Sequence, residues 1–269
     1  MVDLSFLAGS GLDTATPGLL LLLVLTGLAA GFIDAVVGGG GLLQLPVTLM
    51  LPGLTPVQAL ATNKMGSVFG TATSAVTFHR RIHPDLLTAL PMAAAAFVAA
   101  GAGAAVAAAL PAGVFKPIIV VALVAVLAFT VAKPSMGRFT DLRHSGARHY
   151  GLAVLLGAVI GFYDGVMGPG TGSFLIIGLV SLLGYSFMQA SAKAKIANLA
   201  TNLGALLVFG AHGSILWGLG LVLGLSNMAG GYIGARTAVA RGNSFLRVVF
   251  FAVVSVLIVK LGWDVLTGH

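Results

Sequence analysis

The chain reads as an all-α integral membrane protein. It is predicted to hold two inverted-topology repeats of about five hydrophobic segments each, with glycine-broken or re-entrant helices at the centre. Three observations predict this. Hydrophobic residues make up 58% of the 269 positions, charged residues only 8%, and the mean hydropathy is +1.06. A soluble domain carries about 25% charge. Apolar stretches of about 20 residues recur along the whole length, which suits spanning helices rather than alternating barrel strands. Finally, one unusual segment occurs twice, as GFIDAVVGGGGLLQL from Gly31 and as GFYDGVMGPGTGSFLI from Gly161.

The apolar runs fall near 17–37, 42–52, 56–78, 86–109, 114–132, 149–167, 172–184, 187–209, 213–235 and 244–264. Residues 17–132 form repeat one, 133–148 a cytoplasmic connector and 149–264 repeat two, all within a single membrane domain. The runs 42–52 and 172–184 are too short to cross about 30 Å at 1.5 Å per residue. Each follows a glycine cluster, as a broken or re-entrant helix would. Such backbone is tolerated at that depth only where protein or a cavity surrounds it. The first run lacks a basic flank and a convincing cleavage site, and is expected to be a retained helix. The Ala and Gly residues of 89–109 suit close helix packing.

Orientation follows from the basic loops. His79-Arg80-Arg81, the connector with Lys133, Arg138, Arg143 and Arg148, and the stretch from Arg236 to Arg247 should all be cytoplasmic. The N-terminal stretch, with Asp3 and Asp13, should lie outside. An odd number of crossings must then separate residue 17 from 79, and 149 from 210. With five segments per half, the second copy enters from the opposite side, and both termini are expected outside. The repeats align at an offset of 130 through Asp34 and Asp164. Beyond the glycines the offset is 131, pairing Gln58 with Gln189 and Lys64 with Lys195.

The candidate site lies where the repeats coincide. Lys64, Ser67 and Thr71 share one helical face, with Asn63 beside them, and Lys195, Asn198 and Asn202 repeat that face. A cation at bilayer depth costs at least about 2.5–3.5 kcal/mol and is kept where a partner, water or solute compensates it. The helices starting at Gly40-Gly41 and at Gly170-Thr171-Gly172-Ser173 would aim free N–H groups and a positive dipole end at the same place. Two ammonium groups and two such ends favour a compact oxyanion. Asp34 and Asp164 are expected either to hold the glycine-loop amides or to couple transport to protons.

GFIDAVVGGGG with TNK downstream, and GFYDGVMGPGTGSF with KAKIANLATN downstream, resemble the sulfite exporter family of the TauE/SafE type. The resemblance spans essentially the whole chain. It implies a secondary transporter, and an exporter, of sulfite, organosulfonates or related small sulfur oxyanions in a bacterial or archaeal cytoplasmic membrane. The first copy departs from the second at Leu42-Leu43, which stands where Gly172-Ser173 would be.

Other readings stand beside these. Lys64 and Lys195 could snorkel or pair with Asp34 or Asp164, and Lys193, on another face, would snorkel. Gln58, Thr62 and Gln189 fit ordinary interhelical bonding. His79, His83, His144 and His149 are expected on a solvated face, Trp217 and Trp263 at interfaces, and Arg236 as an anchor. The alternatives within transport are uptake of another small anion and cation coupling through the aspartate pair. The chain has neither cysteine nor glutamate, so thiolate metal sites and HExxH chemistry are excluded, and no P-loop occurs. Tyr163-Asp164 lacks the GxGD partner of an intramembrane protease. No cofactor, metal or nucleic acid is expected; the partners are a sulfur anion and the lipid bilayer, with further copies of the chain as an open alternative.

Overall fold

A computed structural model describes residues 16–51, 53–111 and 139–267. The fifth run, 114–132, the N-terminal Asp3 and Asp13, and Lys133 and Arg138 of the connector lie outside the described residues, as does the Trp263 side chain. Among the described residues eight helices follow in order: α1 (Pro17–Val37), α2 (Gly40–Leu49), α3 (Pro56–Ile82), α4 (Leu86–Ala109), α5 (Gly146–Val166), α6 (Thr171–Ser181), α7 (Phe187–Ala211) and α8 (Trp217–Thr267). Among the described residues there is no strand. Among the described residues four helices, α1, α4, α5 and α7, are long and apolar enough to cross a membrane. With α3, at 27 residues, length suffices at about 40 Å, but its polar face lowers its hydropathy.

Local sequence sets the helix ends. Pro17 and Pro56 occupy first-turn positions where the missing N–H is harmless. In α3, Thr55 and Gln58 form a reciprocal capping box. In α7, Ser186 caps the Gln189 amide at 3.4 Å, at the matching positions of the second copy. Gly38 closes α1 in the left-handed region at φ 78°. Long α8 is two helices joined at Gly242, where φ 76° and ψ −170° interrupt the helical backbone.

Packing exchanges partners between the copies. The main neighbour of α1 is α8, that of α5 is α4, and α3 and α7 meet at the centre. Close approach explains the glycines. A Cβ at Gly157, Gly161 or Gly165 would overlap the carbonyls of Met92, Ala96 or Ala100 on α4. The Ala/Gly stretch of α4 therefore serves helix packing, as its composition suggests. Gly31, the counterpart of Gly161, meets the Asn227 carbonyl on α8 in the same way.

The described basic connectors collect at one end. Met188 N–H donates to Asn243 Oδ1 at 3.1 Å, Ser186 N–H to Thr140 Oγ1 at 3.0 Å, and Arg143 N–H to the Leu183 carbonyl at 3.2 Å. Polarity is arranged inside-out. Leu21, Leu25, Val98, Leu155 and Leu207 point outward, while Lys64, Lys195, Asp164 and Gln44 are buried. Charged side chains turned inward beneath an apolar surface suit a lipid solvent.

Candidate functional site

The two glycine breaks meet back to back. Ser173 N–H donates to the Gly38 carbonyl at 3.1 Å, and Ser173 Oγ donates to the Val37 carbonyl at 2.8 Å. A Cβ at Gly172 would come 2.5 Å from Gly38 Cα, so the contact needs glycine on both sides. Gly170 caps α6 in the left-handed region at φ 80°. Gly40 opens α2 against α1, and Gly41 faces Pro169 of the other break.

Around this contact the lysines cross over. Lys64 Nζ lies 2.5 Å from Asp164 Oδ2, and Lys195 Nζ lies 2.8 Å from Asp34 Oδ2 and also donates to the Asp34 carbonyl. Each ammonium of one copy is thus neutralised by the carboxylate of the other. All four residues are buried. Asp164 Oδ1 further accepts from Thr171 Oγ1 at 2.6 Å, tying α5 to the start of α6. The carboxylates pair with the lysines, one of the alternatives the sequence left open, and Asp164 also holds the glycine loop, through the Thr171 hydroxyl. Gly168, at φ 93°, leaves room for Lys64, whose Nζ would lie 2.8 Å from a Cβ there.

The remaining candidates line up along α3 and α7. Thr71 Oγ1 donates to the Ser67 carbonyl at 2.9 Å and accepts from Asn202 Nδ2 at 3.2 Å. Thr71 and Asn202 are matched positions, so the copies touch through equivalent residues. Asn198 accepts from Thr201 Oγ1, and Ser67 is half-buried. Asn63 is buried with its Oδ1 unpartnered. Sequence reasoning missed Gln44 and Asn227. Gln44 Nε2 donates to the Asn63 carbonyl at 3.1 Å, and Asn227 Nδ2 donates to Gln44 Oε1 at 2.7 Å. These bonds fasten α2 and α8 to α3 beside Lys64. The counterpart of Gln44 in the second copy is the apolar Leu175, so the repeat gave no signal for it.

Several side chains stand elsewhere than expected. His149 is buried rather than solvated; its Nε2 lies 3.1 Å from Thr88 Oγ1 and 2.9 Å from the Tyr185 hydroxyl. Lys193 does reach back toward the helix start, yet it ends inside the protein. Its Nζ donates to Gln189 Oε1 at 3.2 Å and sits 4.0 Å from the Tyr185 ring centroid. Beside them Asp85 caps α4, accepting from Leu87 N–H at 2.9 Å and Thr88 Oγ1 at 2.5 Å. Partial burial raises the Asp85 carboxyl, but the Thr88 and Leu87 hydrogen bonds outweigh it and leave it below the usual carboxylate range. Burial pushes the Tyr185 phenol up against the opposing bond to Thr88. Thr62 Oγ1 accepts from Leu216 N–H at 3.3 Å. No cluster of three metal-ligating side chains occurs among the described residues.

The chain matches the model of the family described as "Sulfite exporter TauE/SafE" over residues 23–261. It is 37% identical over 243 residues to "Probable membrane transporter protein ORF9" of Sinorhizobium sp, covering 90% of this chain and 92% of that protein. It is 34% identical over 257 residues to "Probable membrane transporter protein YfcA" of Escherichia coli strain K12, covering 95% and 94%. A "Probable membrane transporter protein" of Haemophilus influenzae shares 30% identity over 249 residues, covering 91% and 96%. No solved structure matches the chain. With family and relatives alike described as membrane transporters, and apolar helices around a buried charged centre, the chain belongs to the sulfite exporter TauE/SafE family of membrane transporters.

Proposed function

We propose that the chain exports sulfite, an organosulfonate or a related small sulfur oxyanion across a bacterial or archaeal cytoplasmic membrane by alternating access. The observation that carries this reading is the crossed pairing of Lys64 with Asp164 and of Lys195 with Asp34. Two lysines held at depth can accept an oxyanion in place of a carboxylate, and each exchange loosens one tie between the copies. Asn63, Ser67, Thr71, Asn198 and Asn202 supply amide and hydroxyl groups around it. Gly40, Gly41, Gly170, Thr171, Gly172 and Ser173 form the backbone pivot. An inverted repeat supports such rocking. The end of α3 and the start of α7 share one end of the molecule, because α7 begins beside Asn243 while α3 runs alongside α8 in the same direction. Helices α2 and α6, about 15 Å long, serve as the broken segments.

Energy need not come from a coupled ion. An anion leaving an inside-negative cell is favoured by about 2.3 kcal/mol per charge per 100 mV. A second reading is favoured by the same pairs: protonation of Asp34 or Asp164 releases its lysine for the solute, which couples protons to the anion. Thermal unfolding of the purified protein with sulfite, thiosulfate, sulfoacetate, sulfate and chloride tests the solute class. A bound anion at 100 times its Kd adds about 2.7 kcal/mol. Stabilisation by none of the sulfur anions would overturn the proposal, and dependence of flux on an imposed pH gradient separates the coupled from the uncoupled reading.

A further inference from the structure

A groove with a cavity of about 660 Å³ lies between α3 and α8, away from the crossed ion pairs. The two helices run in the same direction, since Leu216 N–H meets Thr62 Oγ1 and, further along both, Ser74 Oγ meets the Gly231 carbonyl. The groove therefore ends where both helices end or break, α3 at Ile82 and α8 at Gly242. Its wall carries Val76 and Val239, with Val76 49% exposed. Its mouth carries Arg80, Arg81 and Arg236, all exposed. Tyr232 positions one of them, for Arg236 Nη1 donates to the Tyr232 hydroxyl at 2.7 Å and the guanidinium lies 5.2 Å from the ring centroid.

Three features say what fills it. The lining holds no carboxylate, and among the described residues none of the three arginines has an acidic partner. From Ala72 to Arg81 the groove runs nine residues of helix, about 14 Å, close to the depth of one leaflet in a hydrocarbon core of about 30 Å. An apolar trough of that depth under a cationic mouth complements an acyl chain under a phosphate. A second copy docked through the same face would bring two arginine clusters together. Basic residues at the α3 terminus also offset its helix dipole, but that role requires neither the trough nor Arg236 on another helix.

We propose that this groove binds an anionic phospholipid of the membrane, with Arg80, Arg81 and Arg236 on the phosphate and one acyl chain along Val76 and Val239. This needs only that the chain spans a bilayer and is independent of the solute carried. The test uses the full chain purified in mild detergent, with phosphatidylglycerol or phosphatidylcholine of identical acyl chains added, and reads both the unfolding midpoint and the lipid retained. Phosphatidylglycerol should raise the midpoint and be retained in preference to phosphatidylcholine. Changing Arg80, Arg81 and Arg236 to Gln should lower that preference about fivefold per arginine. Val76→Trp leaves the charges but fills the trough, and should lose retained lipid even if the arginine variant fails to fold. Glycerol 3-phosphate and inorganic phosphate, lacking acyl chains, should leave the midpoint unchanged. The proposal is overturned by equal stabilisation from both lipids, by a preference that survives either variant, by an equal shift with inorganic phosphate, or by dimerisation through this face.

Discussion

At the scale of single residues, the centre of the protein is a set of exchanged charges. A lone lysine or aspartate inside a bilayer is expensive, and each of the four is compensated by a residue of the other repeat. Both pairs were visible in the sequence as matched lysines and matched aspartates. The exchange was not, because spacing within one copy says nothing about which copy supplies the partner. Gln44 was hidden for a related reason, having no polar counterpart. Removing one partner of a buried pair costs about 3–5 kcal/mol, because the other charge is left alone. Lys195→Ala should therefore lose stability by about that amount, read from denaturation in detergent. The combined Lys195→Met and Asp34→Leu variant should recover most of it while losing transport. At Gly172, Ala would force a Cβ against Gly38. That substitution should separate the two breaks and abolish flux, whereas Gly18→Ala, with open space around it, should leave flux unchanged.

At the scale of the helices, chain boundaries follow local rules. Thr55 with Gln58 and Ser186 with Gln189 repeat one N-terminal signal at matched positions, and the apolar runs locate α1, α4, α5 and α7 closely. Where sequence reasoning erred, tertiary packing decided. His149 sits near a helix start among basic residues and reads as solvated, yet Thr88 and Tyr185 from two other segments enclose it. The α4 cap makes a separate prediction. The Asp85 pKa is lowered on folding, so its stabilisation is fully present above the unfolded carboxylate pKa and is lost as pH falls through the folded value. Asp85→Ala should cost about 1 kcal/mol near neutral pH, less any share screened by solvent. The difference from the parent protein should shrink in strong acid, as measured by unfolding at several pH values.

At the scale of the whole molecule, the two copies form one body because each long helix finds its main neighbour in the other repeat. Hydrophobic fraction and run length made the membrane class legible, and loop charges placed the described basic connectors at one end, where the structure also gathers them. A reporter inserted at residue 140 should be accessible from the cytoplasm, and one at the C-terminus from outside. The reverse pattern would overturn the orientation.

The most direct test is sulfite flux into proteoliposomes, comparing the parent protein with the folded Lys195→Met, Asp34→Leu variant. The parent should move sulfite, with organosulfonates competing, and the variant should fall about a hundredfold, equivalent to roughly 2.7 kcal/mol of lost stabilisation. A variant that transports sulfite at the parent's rate would show that the crossed ion pair only holds the fold and takes no part in carrying the anion.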